Sequence, residues 1–565
     1  NRYSYGQHHA LGIRYFLEDI VNNGIEPDYL LLIGKGLQPN KLRKGNLISN
    51  DLVPTMGQPP TDNLFVKNLD DSGPKPSLTF PVGRIPASTN QEVNNYLNKI
   101  KEYRKGLVNG SNEGDNRAWR KQFLHISGGT SDEESERYKR YLEDYEKIAE
   151  NSKLGVETDI ITKSQSIPTD KSQKEFVVNA INEGRGLVTY FGHGAAEVLE
   201  VDIGDPKDYT QKKGNYPIFL FSGCIIGNSY TQGTSMPENF LVKDKDNGGV
   251  AWMAESAFSF TSYLNRYTTD FYQSFTNEQY GSTLGEIFKT TASRFKSSGS
   301  GRDYINEMQI LQKTLHGDPA LELFAPENPD YTTSRDLISF KPEQPNSSLD
   351  SFTLSIVVKN LGKFLKKDSL SINVEQQLSD LSTVSYAPKK VSAPANTDTF
   401  EFSISVDEQK FKGNNRFKVS LNNKKSITEL DSSNNSAQVS TFFPSSGITV
   451  IRPAQYSIVN SQKVQLKVQA NNLFLTDAKY QFQIDTVPSF NSPAKQTSPI
   501  INGDQFGSWK VKLSQKDSTA FYWRAKKVLP DETDWVQKSF VYIDGSEKGW
   551  AQGHFDQFRR SRAES

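Results

Sequence analysis

Three apolar runs, each followed by small and then polar residues, constrain the fold of this chain most strongly. The runs LVTYF at 187–191 and IFLF at 218–221 lead into Gly-His-Gly and Ser-Gly-Cys, and GVAWMA at 249–254 leads into a Ser- and Phe-rich loop. Strands that are buried on both faces of a parallel sheet show such unbroken apolar runs. In open α/β sheets, the loops beyond the carboxyl ends of the strands form the ligand crevice. The sequence therefore predicts an α/β fold whose functional site includes His193 and Cys224.

The same alternation of strand-like and helix-like segments extends over the first 325 residues, as expected for an α/β fold with parallel sheets. Residues 1–110 are interpreted as an N-terminal α/β subdomain and residues 111–325 as the catalytic subdomain. Further strands are predicted at 28–33, 80–85 and 123–126, and helices at 9–21, 91–103, 133–152 and 174–183.

The pattern changes after residue 325, where a proline-rich linker precedes short segments that alternate apolar and polar residues. Such segments, separated by turn residues, are typical of β-sandwiches. Their spacing predicts an immunoglobulin-like sandwich at 330–445 and a second, immunoglobulin-like or fibronectin-III-like sandwich at 446–545. Residues 546–565 are interpreted as a linker or as the start of a further module.

The charge and hydropathy of the chain exclude two classes of partner. Lys plus Arg and Asp plus Glu number 66 each, so the formal net charge is zero. A balanced chain offers no basic footprint for nucleic acid. No apolar run approaches the roughly 18 residues that a membrane-spanning helix needs. We predict neither a nucleic-acid partner nor a membrane span.

Cys224 is the only cysteine of the chain, which excludes intrachain disulfides and thiolate metal clusters. Proteins that meet an oxidising exterior often avoid unpaired thiols, so this count favours a secreted or cell-surface protein. Without its context, a lone cysteine is more often a small buried hydrophobe. We predict no cofactor and no catalytic metal.

His193 and Cys224 have the residue types and placement that nucleophilic catalysis by a thiol needs. They lie 31 residues apart, each just beyond a predicted buried strand, and adjacent strands are about 5 Å apart. A nearby imidazole raises the thiolate fraction of a cysteine whose free pKa is about 8.5. The backbone N–H groups of Gly194 and Cys224 are the expected donors to the oxyanion that forms on a substrate carbonyl.

Four segments resemble the gingipain-like cysteine peptidases of the caspase-like clan. They are YLLLIGKG, FPVGRIPASTNQEVNNYLNKIKEY, the stretch TYFGHG followed by YPIFLFSGCIIGNSY, and HGDPALEL at 316–323. Together they span over half of the chain. The resemblance implies a caspase-like α/β region and a bacterial, secreted endopeptidase that forms an acyl-enzyme on Cys224, with His193 as general acid/base. It also implies protein or peptide substrates.

Two positions bear on how far this resemblance extends. The family places an acid that orients the histidine just before a Gly-Gly pair, and here that position holds Ser127, which leaves the orienting group open. Arginine-specific members hold the substrate's basic side chain with an acid in the following loop, and Glu136 falls nearest that position. An acid-rich first turn of a helix, favoured by the helix dipole, is the simpler interpretation of Glu136.

Two alternative functions stay open from the sequence. A type IX secretion sortase, from the same family, would use the same catalytic pair and would act with the secretion machinery. A non-catalytic adhesin or scaffold would keep the fold, and Ser127 favours this alternative while the intact pair opposes it.

The remaining motifs favour structural roles. His8, His9, His125 and His316 are interpreted as structural, and the Gly-Lys-Gly loop around Lys35 lacks the further residues of a phosphate-binding loop. The Asp/Asn-rich segment at 431–435 suits a turn. It resembles a turn of cell-adhesion-like bacterial immunoglobulin domains. A structural calcium ion there or in the catalytic unit stays open, although no EF-hand spacing supports it.

Overall fold

The computed structural model describes residues 2–42, 47–70, 77–108, 117–163, 171–298, 303–347, 349–407, 409–444, 447–473, 475–514, 517–530, 532–547 and 549–551. Most of the segment interpreted as a terminal linker, 546–565, lies outside these residues. Buried side chains form three hydrophobic clusters, within residues 17–323, 331–443 and 448–542. The chain therefore consists of an α/β unit followed by two all-β units.

The strands of the α/β unit form one mixed sheet of eight strands and one short hairpin, β6–β7. The sheet order is β1-β2-β10-β9-β8-β5-β3-β4. The strands are β1 (Leu30–Ile33), β2 (Val82–Ile85), β3 (Gln122–Ser127), β4 (Glu157–Thr162), β5 (Leu187–Phe191), β6 (Gly194–Ala195), β7 (Val198–Leu199), β8 (Ile218–Ser222), β9 (Ala251–Glu255) and β10 (Lys313–Gly317).

The helices of the α/β unit begin where the sequence supplies side-chain caps. His9 caps α1 through the N–H of Leu11, and Ser131 caps α4 through the N–H of Glu134. No helix in the described part of the chain is long and apolar enough to cross a membrane. The helices are α1 (Ala10–Asn22), α2 (Pro39–Leu42), α3 (Asn90–Val108), α4 (Asp132–Glu150), α5 (Lys171–Glu183), α6 (Met236–Glu238), α7 (Thr261–Gln273), α8 (Leu284–Ser298) and α9 (Asp303–Gln312).

β10 pairs with both β2 and β9 and so joins the two predicted subdomains into one sheet. β10 runs antiparallel to β9 and parallel to β2, whereas β9, β8, β5, β3 and β4 are mutually parallel. The prediction of parallel sheets is thus met on each side of β10, and the complete sheet is mixed. β5, β8 and β9 are buried along their whole length, which explains their unbroken apolar runs.

His316 lies at the end of β10 and is a structural residue. Its Nε2 lies 2.8 Å from the carbonyl oxygen of Gly227, and its side chain is completely buried. Burial lowers the pKa of His316 to about 4, so the imidazole is neutral at physiological pH. The resemblance implies that the HGDP segment is a turn leading to a final strand; here His316 and Gly317 lie within β10, and the turn follows that strand.

The first all-β unit consists of two sheets that share one core. β13 pairs with β11, β12 and β17, and the second sheet has the order β15-β14-β18-β19 with β16 also on β14. Phe352 of the first sheet and Phe417 of the second lie 5.8 Å apart between ring centroids. The strands are β11 (Tyr331–Thr332), β12 (Ile338–Lys341), β13 (Ser351–Asn360), β14 (Ser369–Gln377), β15 (Thr383–Ser385), β16 (Lys389–Ser392), β17 (Thr397–Ser405), β18 (Gly413–Leu421) and β19 (Ser436–Phe443).

The second all-β unit also has two sheets around one core. Their orders are β20-β22-β26 and β21-β28-β27-β23-β24, with β25 also on β23. Both units are consistent with β-sandwiches. The strands are β20 (Ile448–Arg452), β21 (Ser457–Val459), β22 (Lys463–Ala470), β23 (Lys479–Asp485), β24 (Gln496–Thr497), β25 (Ile501–Asn502), β26 (Phe506–Lys512), β27 (Thr519–Leu529) and β28 (Val536–Tyr542).

Buried polar side chains attach the first sandwich to the α/β unit. The side-chain amino group of Lys121, just before β3, donates to the carbonyl oxygens of Asn360, Gly362 and Ala395 at 2.7, 2.9 and 2.8 Å, and burial lowers its pKa to about 7. Arg117 forms an ion pair with Asp330, whose side chain is 0% exposed. Burial raises the pKa of Asp330, and the hydrogen bond from Asn434 and the charge of Arg117 oppose that rise.

Replacing Arg117 should loosen this attachment. Arg117→Met leaves the Asp330 carboxylate buried without its cation, and breaking a buried pair in this way costs about 3–5 kcal/mol. Denaturant unfolding and limited proteolysis near residues 324–330 measure the loss. Arg104→Met is the matched control, because the Arg104–Glu322 pair is 55% and 58% exposed; such pairs contribute about 0–1 kcal/mol. Equal effects of the two variants would contradict a buried attachment.

Candidate active site

The strand ends that precede His193 and Cys224 lie side by side. β5 and β8 pair in parallel register, with Phe191 opposite Ser222, and the N–H of Gly192 donates to the Ser222 carbonyl at 3.2 Å. The two turns touch closely, because a Cβ at Gly223 would lie 2.4 Å from the carbonyl oxygen of Gly192. The structure therefore brings together the two loops that carry the predicted catalytic pair.

The imidazole of His193 is half-exposed and contacts a carboxylate that the sequence did not single out. Its Nε2 lies 3.1 Å from Oε2 of Glu134, in the first turn of α4. The ring of Tyr138, one turn further along α4, lies 6.2 Å from the imidazole between centroids. The Tyr190 hydroxyl donates to the His193 carbonyl at 2.5 Å and fixes the backbone below the ring.

Glu134 is held as an anion by a set of donors. The N–H and hydroxyl of Thr130 donate to Oε2 at 2.9 and 2.8 Å, and the Tyr138 hydroxyl donates to Oε1 at 2.7 Å. Burial would raise the pKa of Glu134, but these hydrogen bonds and the one with His193 lower it to about 2. The carboxylate is therefore a fixed negative charge beside the imidazole.

A second carboxylate, Glu200, positions the backbone of the histidine loop. Its Oε2 accepts the N–H of Gly129 at 2.8 Å and the N–H of His193 at 3.0 Å, and its Oε1 lies 3.7 Å from Nζ of Lys163. Glycine is required beside it, since a Cβ at Gly128 would lie 2.3 Å from Oε2. Glu200 thus ties the loop after β3 to the loop after β5.

Ser127 does not orient the histidine. It is completely buried at the end of β3, and its hydroxyl donates to the carbonyl oxygens of Gly128 and Ser135, both at 3.3 Å. The position that holds an acid in the resembled family therefore serves the packing of α4 on β3 here. The contact with the imidazole comes instead from Glu134.

Cys224 lies in a sharp turn after β8. Its Sγ accepts the N–H of Ser259 at 3.5 Å and lies 3.7 Å from the Ser259 carbonyl oxygen. The following residue, Ile225, has φ +66°, a strained conformation for a β-branched residue. Its N–H donates to the Ala257 carbonyl at 3.0 Å, which holds the turn. Among the hydrogen bonds of the described residues, none uses the backbone N–H of Cys224.

A buried polar network lies beneath this turn. Lys313 and Glu255 form an ion pair at 3.0 Å, with side chains 1% and 0% exposed, across the antiparallel β9–β10 pair. Glu255 accepts the N–H of Gly223 at 3.4 Å and the amide of Gln309 at 3.1 Å. The Ser259 hydroxyl donates to Gln309. Burial raises the pKa of Glu255 and lowers that of Lys313, and the mutual attraction of the pair opposes both shifts.

The other predicted candidates lie apart from this contact set. Gly194 opens the β6–β7 hairpin, where a Cβ would lie 2.6 Å from Ile226. Glu136 is exposed on α4, two residues from Glu134 and therefore about 200° around the helix axis from it. Its role in substrate binding, and the oxyanion role of Gly194 and Cys224, stay predictions.

The motifs interpreted as structural have structural partners. His125 is buried, with Nε2 2.7 Å from the Tyr272 hydroxyl. Lys35 donates to Glu238 at 2.7 Å, so its charge is neutralised. Asp431 accepts the N–H of Ser433 at 2.8 Å in its own turn. No group of three or more His, Cys, Asp or Glu side chains that could hold a metal ion occurs in the described residues.

Sequence reasoning missed the partner of the histidine, although one signal was present. Ser131 and Glu134 have the spacing of a capping box, which predicts that Glu134 turns back toward the start of α4. Nothing in the sequence separates it from Asp132 and Glu133 as a partner for His193. Glu200, Glu255 and Lys313 carry no recognisable local motif at all.

Comparisons with known proteins identify relatives of this arrangement. A family model described as peptidase family C25 matches residues 1–324. The crystal structure of the Arg-specific cysteine proteinase gingipain R matches 77% of this chain and 87% of that chain, at 15% identity and a TM-score of 0.45. The complex of Porphyromonas gingivalis RgpB pro- and mature domains matches 77% and 90%, at 15% identity and a TM-score of 0.46.

A third solved structure matches almost the whole chain. Dimeric latent PorU from Porphyromonas gingivalis matches 97% of this chain and 51% of that chain, at 12% identity and a TM-score of 0.26. No curated protein matches this chain.

In the buried Lys313–Glu255 pair, removing one charge should destabilise the protein more than removing both. Lys313→Met leaves Glu255 buried without its cation and should cost about 3–5 kcal/mol of unfolding free energy. Adding Glu255→Gln removes the second charge and keeps its hydrogen-bonding capacity, so the double variant should recover most of the loss. Denaturant unfolding of the two variants measures this. Equal losses in the single and double variants would show that the pairing of charges is not what matters.

The carboxylate beside His193 should contribute a pH-dependent stability. Its pKa, about 2, lies below the unfolded value of about 4.3. Its stabilising contribution is therefore present above pH 4.3 and is lost as the pH falls toward 2. Glu134→Gln should melt below the wild type at pH 5–7, by about 2–4 °C for each ~1 kcal/mol of lost hydrogen bonding. The gap should narrow by pH 3. Glu133→Gln, in the same turn, is the control; a gap that is constant with pH would contradict the shift.

Proposed function

Because the chain belongs to peptidase family C25, which its family model shows over residues 1–324 of 565, we propose that it is a cysteine endopeptidase whose nucleophile is Cys224. As a member of this gingipain family it is a cysteine peptidase, and its substrates are proteins or peptides. The observation that carries the proposal is the pair of adjoining strand ends. One leads into the loop of His193, whose imidazole contacts the Glu134 carboxylate, and the other leads into the turn of Cys224, the lone thiol.

The hydrogen bond to Glu134 supports a defined tautomer for His193. When Nε2 carries the proton and donates a hydrogen bond to the carboxylate, Nδ1 carries the lone pair and serves as the base. Nδ1 takes the proton of the Cys224 thiol, and the imidazolium that forms is stabilised by the adjacent anion. Glu134 does not need to accept a proton in this scheme, since its pKa of about 2 keeps it ionised.

The reaction then proceeds in two balanced halves. The Cys224 thiolate attacks the substrate carbonyl carbon, and the N–H groups of Cys224 and Gly194 are the proposed donors to the oxyanion. His193 returns its proton to the departing amine, which leaves a thioester on Cys224. A water molecule, deprotonated by His193, then attacks the thioester carbonyl carbon, and the C–S bond breaks. The carboxylic acid product leaves, and His193 returns the proton to the Cys224 sulfur, which regenerates the thiol.

The proposed location is the bacterial cell exterior, as a secreted or surface-bound enzyme. The single cysteine supports this location. Because the chain has no second thiol, Cys224 cannot form a wrong intrachain disulfide in an oxidising exterior. A connection with the type IX secretion machinery is part of the same proposal.

Cys224→Ala should abolish peptidase activity and leave the fold intact. The direct measurement is hydrolysis of a fluorogenic peptide library that varies the residue before the scissile bond, with wild type and variant side by side. The reason is chemical: no other thiol exists in the chain to form the thioester. A variant that melts well below the wild type would instead assign Cys224 a packing role.

Alkylation separates a peptidase from a scaffold that keeps the fold. A nucleophilic Cys224 should react with a small alkylating reagent faster than a model thiol at pH 6, because only the thiolate reacts. Reaction at the rate of a model thiol, together with no cleavage of any peptide, would support the scaffold. Fast alkylation with cleavage confined to a few peptides would support the sortase alternative.

A further inference from the structure

Two phenylalanines project into solvent beside the cysteine turn. Phe258 and Phe260 are 77% and 63% exposed, and they flank Ser259 in the loop between β9 and α7. The backbone N–H and carbonyl of Ser259 are the groups in contact with Sγ of Cys224. Each phenylalanine Cα is therefore about 3.8 Å from the Cα of a residue that touches the thiol.

The loop that carries these rings is fixed from below. The Ser259 hydroxyl donates to Gln309, whose amide donates to the buried Glu255. The N–H of Ile225 donates to Ala257, on the other side of Phe258. These contacts hold Ser259 toward the interior, while the side chains on either side of it point outward.

The backbone at Phe260 is extended, with φ −93° and ψ 137°, immediately before α7 begins. Successive side chains of an extended segment point to opposite faces, so the ring of Phe260 lies opposite the inward hydroxyl of Ser259. Its ring centroid lies 6.1 Å from that of Tyr263, which gives it a lateral wall. The exposure of the ring is thus a property of an ordered turn.

The loop that follows His193 also carries an exposed apolar side chain. Val198, in the β6–β7 hairpin that follows His193, is 64% exposed. The two carboxylates that hold the histidine loop are engaged: Glu134 with the imidazole and Thr130, and Glu200 with two backbone N–H groups and Lys163. Large apolar side chains that stay exposed in one ordered loop next to a reactive group, as Phe258 and Phe260 do, mark a binding surface for an apolar ligand.

We propose that Phe258 and Phe260 form an apolar subsite that takes an aromatic or large aliphatic side chain of the substrate, next to the bond that is cleaved. This assignment rests on the proposed function, because it places the substrate at Cys224. It makes the enzyme selective for apolar residues, in contrast to the preference for a basic residue that Glu136 would confer.

The test compares peptides that differ only in the residue before the scissile bond: Phe, Leu, Ala, Arg and Lys. Wild-type kcat/KM should be about 10- to 100-fold higher for the Phe or Leu peptide than for the Ala peptide, as burial of a large apolar side chain allows. The Arg and Lys peptides should not exceed the Ala peptide. The Phe258→Ser/Phe260→Ser double variant should lower kcat/KM for the Phe peptide by about 10-fold or more relative to the Ala peptide, so that most of the preference for Phe is lost.

Phe442→Ser is the matched control, because Phe442 is an exposed phenylalanine, 57%, on β19 of the first sandwich. It should change no peptide's rate. A preference for Arg or Lys that disappears in Glu136→Gln would overturn the apolar subsite and leave the proposed function standing. So would an equal loss of all peptides in the double variant, which would show that the rings support the loop and do not select the substrate.

A binding measurement separates failure of the subsite from failure of the proposed function. If wild type cleaves none of the peptides, the proposed function fails as stated, and the same peptides are then titrated into Cys224→Ala. Tighter binding of the Phe peptide than of the Arg peptide, lost when both phenylalanines are replaced by serine, would still support the subsite. Equal binding of the two peptides would overturn it.

Discussion

The ion pair between Lys313 and Glu255 is the interaction on which the arrangement of the α/β unit depends. It joins β9 and β10, where the direction of the sheet reverses and the two parts of the unit meet. Both charges are removed from water, so each is stable only with the other and with its hydrogen bonds. Glu255 also accepts the N–H of Gly223. The ion pair that links β9 and β10 therefore also holds the turn that carries Cys224.

The histidine side of the site is organised by two carboxylates with separate tasks. Glu134 contacts the imidazole and fixes its charge environment, whereas Glu200 binds backbone N–H groups and fixes where the loop runs. In the resembled family, one acid at the position of Ser127 would orient the imidazole of the catalytic histidine from the end of β3. Here the helix that follows β3 supplies the acid, and the serine packs beneath that helix.

How much of this was predictable follows from how local each signal is. Unbroken apolar runs are a local property, and the strands at 187–191, 218–222 and 251–255 were expected from them within a few residues. The direction of β10 is not local, because an apolar run does not show which way a strand points. The partner of His193 was missed for a related reason. Neighbouring acids in one helical turn have the same composition, and only the phase of α4 against β5 selects Glu134.

β3 connects the first sandwich to the loop that carries His193. At its start, Lys121 is held by three carbonyl oxygens of the first sandwich, and Arg117 is paired with Asp330 nearby. At its end, the N–H of Gly129 binds Glu200, which in turn binds the N–H of His193. The strand spans six residues, about 20 Å, and is buried along nearly all of its length. A rigid strand anchored at both ends limits how far the histidine loop can move relative to the sandwich. The first sandwich therefore contacts the α/β unit at the start of β3, and any effect that it has on the site should run through this strand.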